Sequence, residues 1–368
     1  MLCPWPSLGV GARTGAVSAQ AGAAEAAQAI MAAGASARAR TATSWRLRAA
    51  GSPWQPNPSE PSPSEPGPSD PGPNHPGSSQ PGPSQPSAEQ LRLREQSLVI
   101  LRQPTLPLAV LNPSGLPTLL EVLDGTLDAP EATPKLLSVM AATLADVGWV
   151  VLRLGARRDL IAAAVAEAER AYPEMSPGKV VDGRTGAVRA GVDPTGVERG
   201  DRFALVHDER ALPGGAARWP ALLELDATME EVALALGQAV ERERRLPFTI
   251  SSRADGMIAT FPGGGAEYGC HLDSNVHGGY KSGLDPRKLT TILYLNEGWD
   301  AERDGGCLCM HDPEHSCWRT VTPVADTLVI FRADKVLHRV AASHAQRHAL
   351  TVFLLGAYRD GSEPRRSC

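Results

Sequence analysis

The chain has 368 residues and a formal net charge of −5, with a pI near 6.0. No global basic field is present to attract nucleic acid, and no apolar run of about 18 residues or more marks a membrane span. Six cysteines are too sparse for a disulfide scaffold at this length and suit a reducing compartment.

Taken in order, residues 1–50 carry Arg13, Arg38, Arg40, Arg46 and Arg48 among many Ala and Ser, with one acid, Glu25. That composition predicts a disordered or transit-like N-terminus. The expected compartment is the cytoplasm or nucleus, with organelle import through this segment as the alternative. Residues 51–87 repeat a Pro-Ser-acid/Gln-Pro-Gly theme, as in Pro63-Ser64-Glu65-Pro66-Gly67-Pro68. Proline fixes φ and removes donors, so an extended linker is predicted. Residues 88–133 open with a helical patch around Ser87–Arg94 and continue as Pro-punctuated apolar runs without evident chemistry.

The folded domain is expected at 134–362. Thr133-Pro134 reads as a helix cap followed by Pro at the first helical position, and Leu136, Leu137, Met140 and Leu144 recur at helical spacing. Gly148–Leu154 reads as a strand and Arg158–Tyr172 as a helix. Residues 173–200 read as Gly- and Pro-rich loop, and Trp219–Arg244 as one or two helices. Strand signals then dominate: Met257–Phe261, Leu289–Leu295, Cys307–Met310, Thr327–Phe331, Leu337–Ala341 and Arg347–Leu355. Helices first and short strands later predict an α+β fold with a mainly antiparallel β core and helices on one side.

The chemistry concentrates in Gly269-Cys270-His271-Leu272-Asp273-Ser274. Residues two apart on a strand share a face, so His271 and Asp273 point at one spot. His338 lies 67 residues further on, and Arg347 nine after that, opening another strand. Two His and one carboxylate form the facial set that holds non-heme Fe(II) with three positions left open. Of the other histidines, His277 lies too close to the pair, His311 and His315 fall in a predicted loop, and His344 and His348 flank Arg347 and read as outward. His207 is a further competitor. Thr290, Ile292 and Tyr294 share one strand face, and Arg347, Ala349, Thr351 and Phe353 another. No acid lies on either face, so a buried Arg347 needs a carboxylate from elsewhere. The distal carboxylate of 2-oxoglutarate is the expected one, with Tyr294, Thr351 and Thr290 around it. The Cys307-x-Cys309-x-His311…His315-x-Cys317 run lacks zinc-knuckle spacing and reads as packed thiols.

The segment from about Leu144 to Asp360 resembles the prolyl 4-hydroxylase superfamily of Fe(II)/2-oxoglutarate dioxygenases, most of all the hypoxia-inducible-factor (EGL-nine type) prolyl hydroxylases. The resemblance is carried by Phe261-Pro262-Gly263-Gly264-Gly265, His271-Leu272-Asp273, Leu293-Tyr294-Leu295-Asn296-Glu297-Gly298-Trp299-Asp300, Gly305-Gly306-Cys307-Leu308, His338 and Arg347-His348-Ala349-Leu350-Thr351-Val352. Gly148-Trp149-Val150-Val151 and Arg199-Gly200-Asp201 match upstream. It implies a double-stranded β-helix with Fe(II) on His271, Asp273 and His338, and with Arg347, Tyr294 and Thr351 holding the far carboxylate of 2-oxoglutarate. It implies a protein or peptide substrate with a target proline, O2 as co-substrate, L-ascorbate as the reductant that returns Fe(III) to Fe(II), and a place in oxygen sensing. It also implies that Asp201, in a loop over the peptide, pairs with Arg287. No nucleic acid, no membrane and a monomer complete the expectation.

Two departures stand out. Phe261 replaces the family's Tyr beside the co-substrate, and one lost hydrogen bond costs about 0.5–1.5 kcal/mol. The loop Ser274–Pro286 is longer than in the family. Two rivals therefore stay open: a 2-oxoglutarate hydroxylase of another side chain or of a small molecule, and a binding or sensing module without turnover.

Overall fold

The computed structural model describes residues 99–359, apart from 101, 109, 111–117, 124–131, 182–187, 191–198, 211 and 275–284. The expected tail, the linker, the helical patch at 87–94, His277 and most of the loop 274–286 lie outside the described residues.

The first strand, β1 (Thr105–Pro107), lies ahead of the expected domain start. It runs parallel to a later strand at Trp318–Thr320, and the residues around it are pinned there. Trp318 Nε1 donates to the Ile100 carbonyl at 2.9 Å, and His311 Nε2 lies 2.8 Å from Gln103 Oε1. Helices α1 (Leu119–Leu123) and α2 (Ala132–Asp146) follow. The second begins one residue ahead of the expected Thr133 cap, within ordinary fraying of helix ends. Leu137, Met140, Ala141 and Leu144 form its buried stripe. Gly148, at φ +102°, turns the chain into β2 (Trp149–Arg153).

Helix α3 (Arg158–Ala171) buries Leu160, Ile161, Ala164, Ala168 and Ala171. The stretch 173–200, expected as loop throughout, holds β3 (Ser176–Pro177), β4 (Lys179–Val181) and β5 (Val188–Ala190). Strands of two or three residues are too short to display alternation, so the pattern carries no signal for them. After β6 (Arg202–Leu205) come α4 (Gly215–Arg218) and α5 (Pro220–Glu243). Pro220 pre-sets φ at the first turn of α5. Its buried residues, Leu222, Leu225, Met229, Val232, Leu236 and Val240, recur three or four apart along one face. The orphan amides of its first turn are met by a buried carboxylate: Glu167 on α3 accepts from Ala221 N and Leu222 N at 3.1 and 2.9 Å.

Strands complete the chain: β7 (Ser252–Arg253), β8 (Met257–Phe261), β9 (Ala266–His271), β10 (Arg287–Tyr294), then the short α6 (Ala301–Asp304), β11 (Leu308–Asp312), β12 (Cys317–Val321), β13 (Thr327–Arg332), β14 (His338–Ser343) and β15 (Arg347–Leu355). β8 and β15 match the sequence expectation residue for residue. β12 lies outside the expectation; β9 ends at the His271 expected on a strand, although it mixes Gly, Glu and Cys and lacks a clean alternation.

The large sheet has the order β2-β13-β10-β15-β8-β6-β3, with β7 also on β15; the small sheet is β1-β12-β11-β14-β9. Facing each other, they form the expected double-stranded β-helix. Alternation along each large-sheet strand separates two cores. Val150, Leu152, Leu328, Ile330, Leu350 and Val352 turn toward the helices. Trp149, Val151, Val329, Phe331, Tyr294 and Ala349 turn toward the small sheet, where Leu308, Met310 and Val321 meet them. A sheet covered on both faces reads as continuous apolar sequence.

That double cover corrects the reading of His348. It is 3% exposed, not outward; its Nδ1 lies 2.9 Å from Thr260 Oγ1 on the neighbouring strand. His311 likewise lies on β11 rather than in a loop, whereas His315 sits in the following turn against Asp312 at 2.8 Å.

Two outcomes follow for stability. Glu167→Ala strands two buried amides and lowers unfolding free energy by about 1–3 kcal/mol, measured by urea denaturation; an unchanged midpoint contradicts the capping role. Burial, reinforced by the adjacent Arg347 cation, holds the His348 imidazole down at about 4, below its ordinary 6.5. The unfolded chain thus takes up this proton near pH 6.5 and the folded chain only near pH 4, so stability falls as pH drops through that window. In His348→Gln the slope of stability against pH between 6.5 and 4 becomes shallower; an identical slope contradicts the assignment.

Candidate active site

His271 closes β9 and His338 opens β14, and the two are direct cross-strand partners. Their rings lie 4.2 Å apart, centre to centre. Each ring is oriented by a backbone carbonyl on its far side: His271 Nδ1 lies 2.8 Å from Gly269 O, and His338 Nδ1 lies 3.0 Å from Val336 O. A carbonyl only accepts, so both Nδ1 atoms carry the proton and both Nε2 atoms present a lone pair.

Those lone pairs face the Asp273 carboxylate. His271 Nε2 is 3.4 Å from Oδ1 and His338 Nε2 is 3.6 Å from Oδ2. Three acceptors converge with no proton to share among them, an arrangement that a cation completes. Among the described residues this is the one group of three His, Cys, Asp or Glu side chains able to hold a metal ion, with ligand atoms within 4.8 Å of one another. The Cys307/Cys309/His311/His315/Cys317 run forms no such group, and Cys307, Cys309 and Cys317 remain thiols. His338 is 5% exposed at its side chain while His271 is 20% exposed, so the group opens on the His271 side.

Electrostatics favours the ligating forms. Burial and the neighbouring His271 push the His338 imidazole down to about 4, so it is neutral at neutral pH. Burial alone would raise the Asp273 carboxyl, but the His338 and His271 imidazoles and the Thr290 hydroxyl outweigh it and hold it well below its ordinary range. One carboxylate with two imidazoles is the donor set that suits non-heme Fe(II).

Asp273 does not reach this spot by strand pleat, as the two-residue spacing suggested. β9 ends at His271, and Asp273 lies in a bend beyond it. Two hydrogen bonds hold it: Ser274 N donates to Ala333 O at 2.9 Å, and Thr290 Oγ1 donates to Asp273 Oδ2 at 2.6 Å. Thr290, expected against the co-substrate, is thus turned to the carboxylate.

The second pocket lies on the large sheet. Arg347 is 3% exposed and is the cross-strand partner of Phe261. Its guanidinium carbon stands 4.9 Å from the Tyr294 ring centre and 5.1 Å from that of Phe261, so two aromatic faces support it. The Tyr294 hydroxyl and Arg347 Nε are fully buried and have no hydrogen-bond partner, and among the described residues no ion pair neutralises Arg347. Burial raises the Tyr294 phenol to about 12 despite the nearby Arg347 cation, so it stays a neutral donor. Orphan buried donors of this kind are rare; a carboxylate satisfies both, which is the fit expected for 2-oxoglutarate. Thr351, 8% exposed, lies two residues along β15 from Ala349, the partner of Tyr294. Close packing shapes the wall: a Cβ on Gly306, itself at φ +65°, would stand 3.0 Å from Arg347 Cδ.

The expected Asp201–Arg287 pair is not formed. Asp201 is gripped by Arg199, with Nη2–Oδ2 at 2.9 Å, and Arg287 by Asp285, with Nε–Oδ1 at 3.0 Å. In each case the partner sits two residues away along the chain, where side chains of an extended segment share a face.

Tyr268 was missed. Its ring stacks on His271 at 3.9 Å and 24°, and the Arg199 guanidinium carbon stands 4.0 Å from the Tyr268 ring centre. Three residues apart on a regular strand, Tyr268 and His271 would face opposite ways. The pairing His338↔His271 followed by Val340↔Tyr268 advances two residues on β14 and three on β9. This bulge places both rings on one face; the Gly-Cys pair between them was its only hint in the sequence.

The chain is similar to several known proteins. The profile of the family described as the 2OG-Fe(II) oxygenase superfamily matches residues 256–355. Prolyl hydroxylase EGLN3 of Homo sapiens is 30% identical over 190 residues, covering 51% of this chain and 72% of that protein. The Hypoxia-inducible factor prolyl hydroxylase of Caenorhabditis elegans is 34% identical over 122 residues, 33% of this chain and 15% of that protein. A solved Pseudomonas putida prolyl-4-hydroxylase is 27% identical and covers 60% of this chain and 98% of its own, with a TM-score of 0.45. Since the shared sequence spans most of the human relative and the matched profile takes in His271, Asp273, His338 and Arg347, the chain belongs to the 2OG-Fe(II) oxygenase superfamily, as a dioxygenase related to the EGLN prolyl hydroxylases.

Proposed function

We propose that this dioxygenase hydroxylates a prolyl residue in a peptide or protein, with Fe(II) on His271, Asp273 and His338 and with 2-oxoglutarate anchored at Arg347. The observation that carries the reading is the pairing of two unfinished sites between the same two sheets: three acceptors lacking a cation, and a buried arginine and tyrosine lacking an anion. The prolyl substrate is supported by the relatives, whose names are those of prolyl hydroxylases.

When bound, Fe(II) supplies the activation of O2 that inserts one oxygen atom into a substrate C–H bond as 2-oxoglutarate is decarboxylated to succinate. The protein's own work is placement. His271 and His338 are locked in their tautomers by Gly269 O and Val336 O, so both ligate without a proton to lose. Arg347 would hold the far carboxylate by a charge-assisted contact, and the Tyr294 hydroxyl would donate to the same group. Phe261 offers no hydroxyl there; its ring holds the guanidinium in place instead. Tyr268, stacked on the His271 ring, and Arg199, over the Tyr268 ring, stand beside the metal group and are the side chains assigned here to the peptide. Arg287, set against Phe353 at 5.3 Å, is a further side chain assigned to the peptide. Ascorbate, as the reductant that keeps the metal ferrous, belongs to the same proposal.

Incubation with Fe(II), 2-oxoglutarate, O2 and a library of proline-containing peptides yields a mass gain of one oxygen atom, matched by succinate. Succinate formed without any prolyl product contradicts the substrate assignment. Asp273→Ala abolishes both products; retained turnover shows that the metal site is misplaced. Arg347→Ala raises the 2-oxoglutarate concentration needed by about 10- to 100-fold, as loss of a charged hydrogen bond does. An unaltered apparent affinity refutes its role.

A further inference from the structure

We infer that Thr290 is a positioning residue that makes Asp273 a ligand through one oxygen only, keeping the remaining coordination positions open. The inference rests on the proposed metal site and goes beyond it, because it concerns how many positions the carboxylate takes.

Asp273 lies beyond the end of β9, where no pleat fixes its direction. Its backbone is held by the Ser274 N to Ala333 O bond, but a carboxylate on a short stem turns freely about its last torsion. The constraint on that torsion comes from β10. Thr290 is 1% exposed, sits between Phe331 and Phe353 as its cross-strand partners, and directs its hydroxyl at Oδ2 at 2.6 Å. A β-branched residue on a strand has few side-chain positions open to it, so the hydroxyl is itself rigid. The hydrogen bond engages Oδ2 and leaves Oδ1, 3.4 Å from His271 Nε2, without a fixed donor. A carboxylate free to rotate can present both oxygens to a cation. One oxygen held by a neutral donor leaves the other as the ligand, and with two imidazole nitrogens three positions of an octahedral ion remain. The same hydroxyl cannot serve the co-substrate while it serves Asp273, so Thr290 acts on the reaction through the metal ligand.

The test uses Co(II), whose visible absorption reports coordination, titrated into the whole metal-free chain. Binding lost in Asp273→Ala establishes that the probe occupies the proposed group. Thr290→Val keeps shape and removes the donor: Co(II) affinity falls by about 10- to 100-fold, and the absorption spectrum changes in band intensity and position. Thr290→Ala is a second removal of the hydroxyl, with melting of the metal-free chain as the check on folding. Thr290→Ser restores the donor and stays within about threefold of the natural chain. An unchanged affinity and spectrum in Thr290→Val overturns the inference. So does a fall in Thr290→Ser as deep as in Thr290→Val. A third contradicting result is a raised 2-oxoglutarate KM in Thr290→Val with Co(II) binding intact, which places the hydroxyl on the co-substrate. If Asp273→Ala leaves Co(II) binding untouched, the metal site itself fails, and that failure is distinct from one confined to Thr290.

Discussion

Three electron-pair donors aimed at one point, with no hydrogen between them, form the constraint on which this structure depends. His271 and His338 each spend their one N–H on a backbone carbonyl, and Asp273 has no proton at neutral pH. Left alone, the three repel. The fold holds them together because His271 ends β9, His338 opens β14, and Asp273, in the bend beyond β9, is tied down through Ser274 and Thr290. A positive ion would turn that repulsion into binding, and the group is open on the side of the more exposed His271.

Rigidity comes from the sheets. The large sheet is apolar on both faces, so β10 and β15 cannot shift register without dragging Leu293, Leu350 or Val352 out of the helix-side core. Those two strands carry Thr290, Tyr294 and Arg347. The small sheet contributes the paired ends of β9 and β14. Metal group and anion pocket thus belong to opposite walls of one barrel, and their separation is set by sheet packing rather than by flexible loops. Unpartnered groups at Arg347 and Tyr294 cost stability when empty; such a cost is tolerated where a ligand recovers it.

Much of this is legible in the sequence. His338 and the arginine nine residues later can be read because each opens a strand with apolar neighbours, and the His-x-Asp pair by its spacing alone. Parity failed where its assumptions failed. His348 looked outward because alternation places it opposite Arg347, yet the opposite face is covered, not wet. Tyr268 was hidden by a bulge, which adds one residue and flips every face before it. Thr290 was placed on the right face but given the wrong neighbour, since no pattern in β10 reveals where a carboxylate on another loop will stop. Asp201 and Arg287 were matched across the fold when each had an opposite charge two residues away.

The most direct measurement is anomalous diffraction at the iron edge from crystals grown without oxygen in the presence of Fe(II) and 2-oxoglutarate. The account predicts one iron peak in contact with His271 Nε2, His338 Nε2 and a single oxygen of Asp273, and the far carboxylate of 2-oxoglutarate on Arg347 and Tyr294. An iron peak away from these three side chains, or an Arg347 neutralised by a carboxylate of the protein itself, would contradict it.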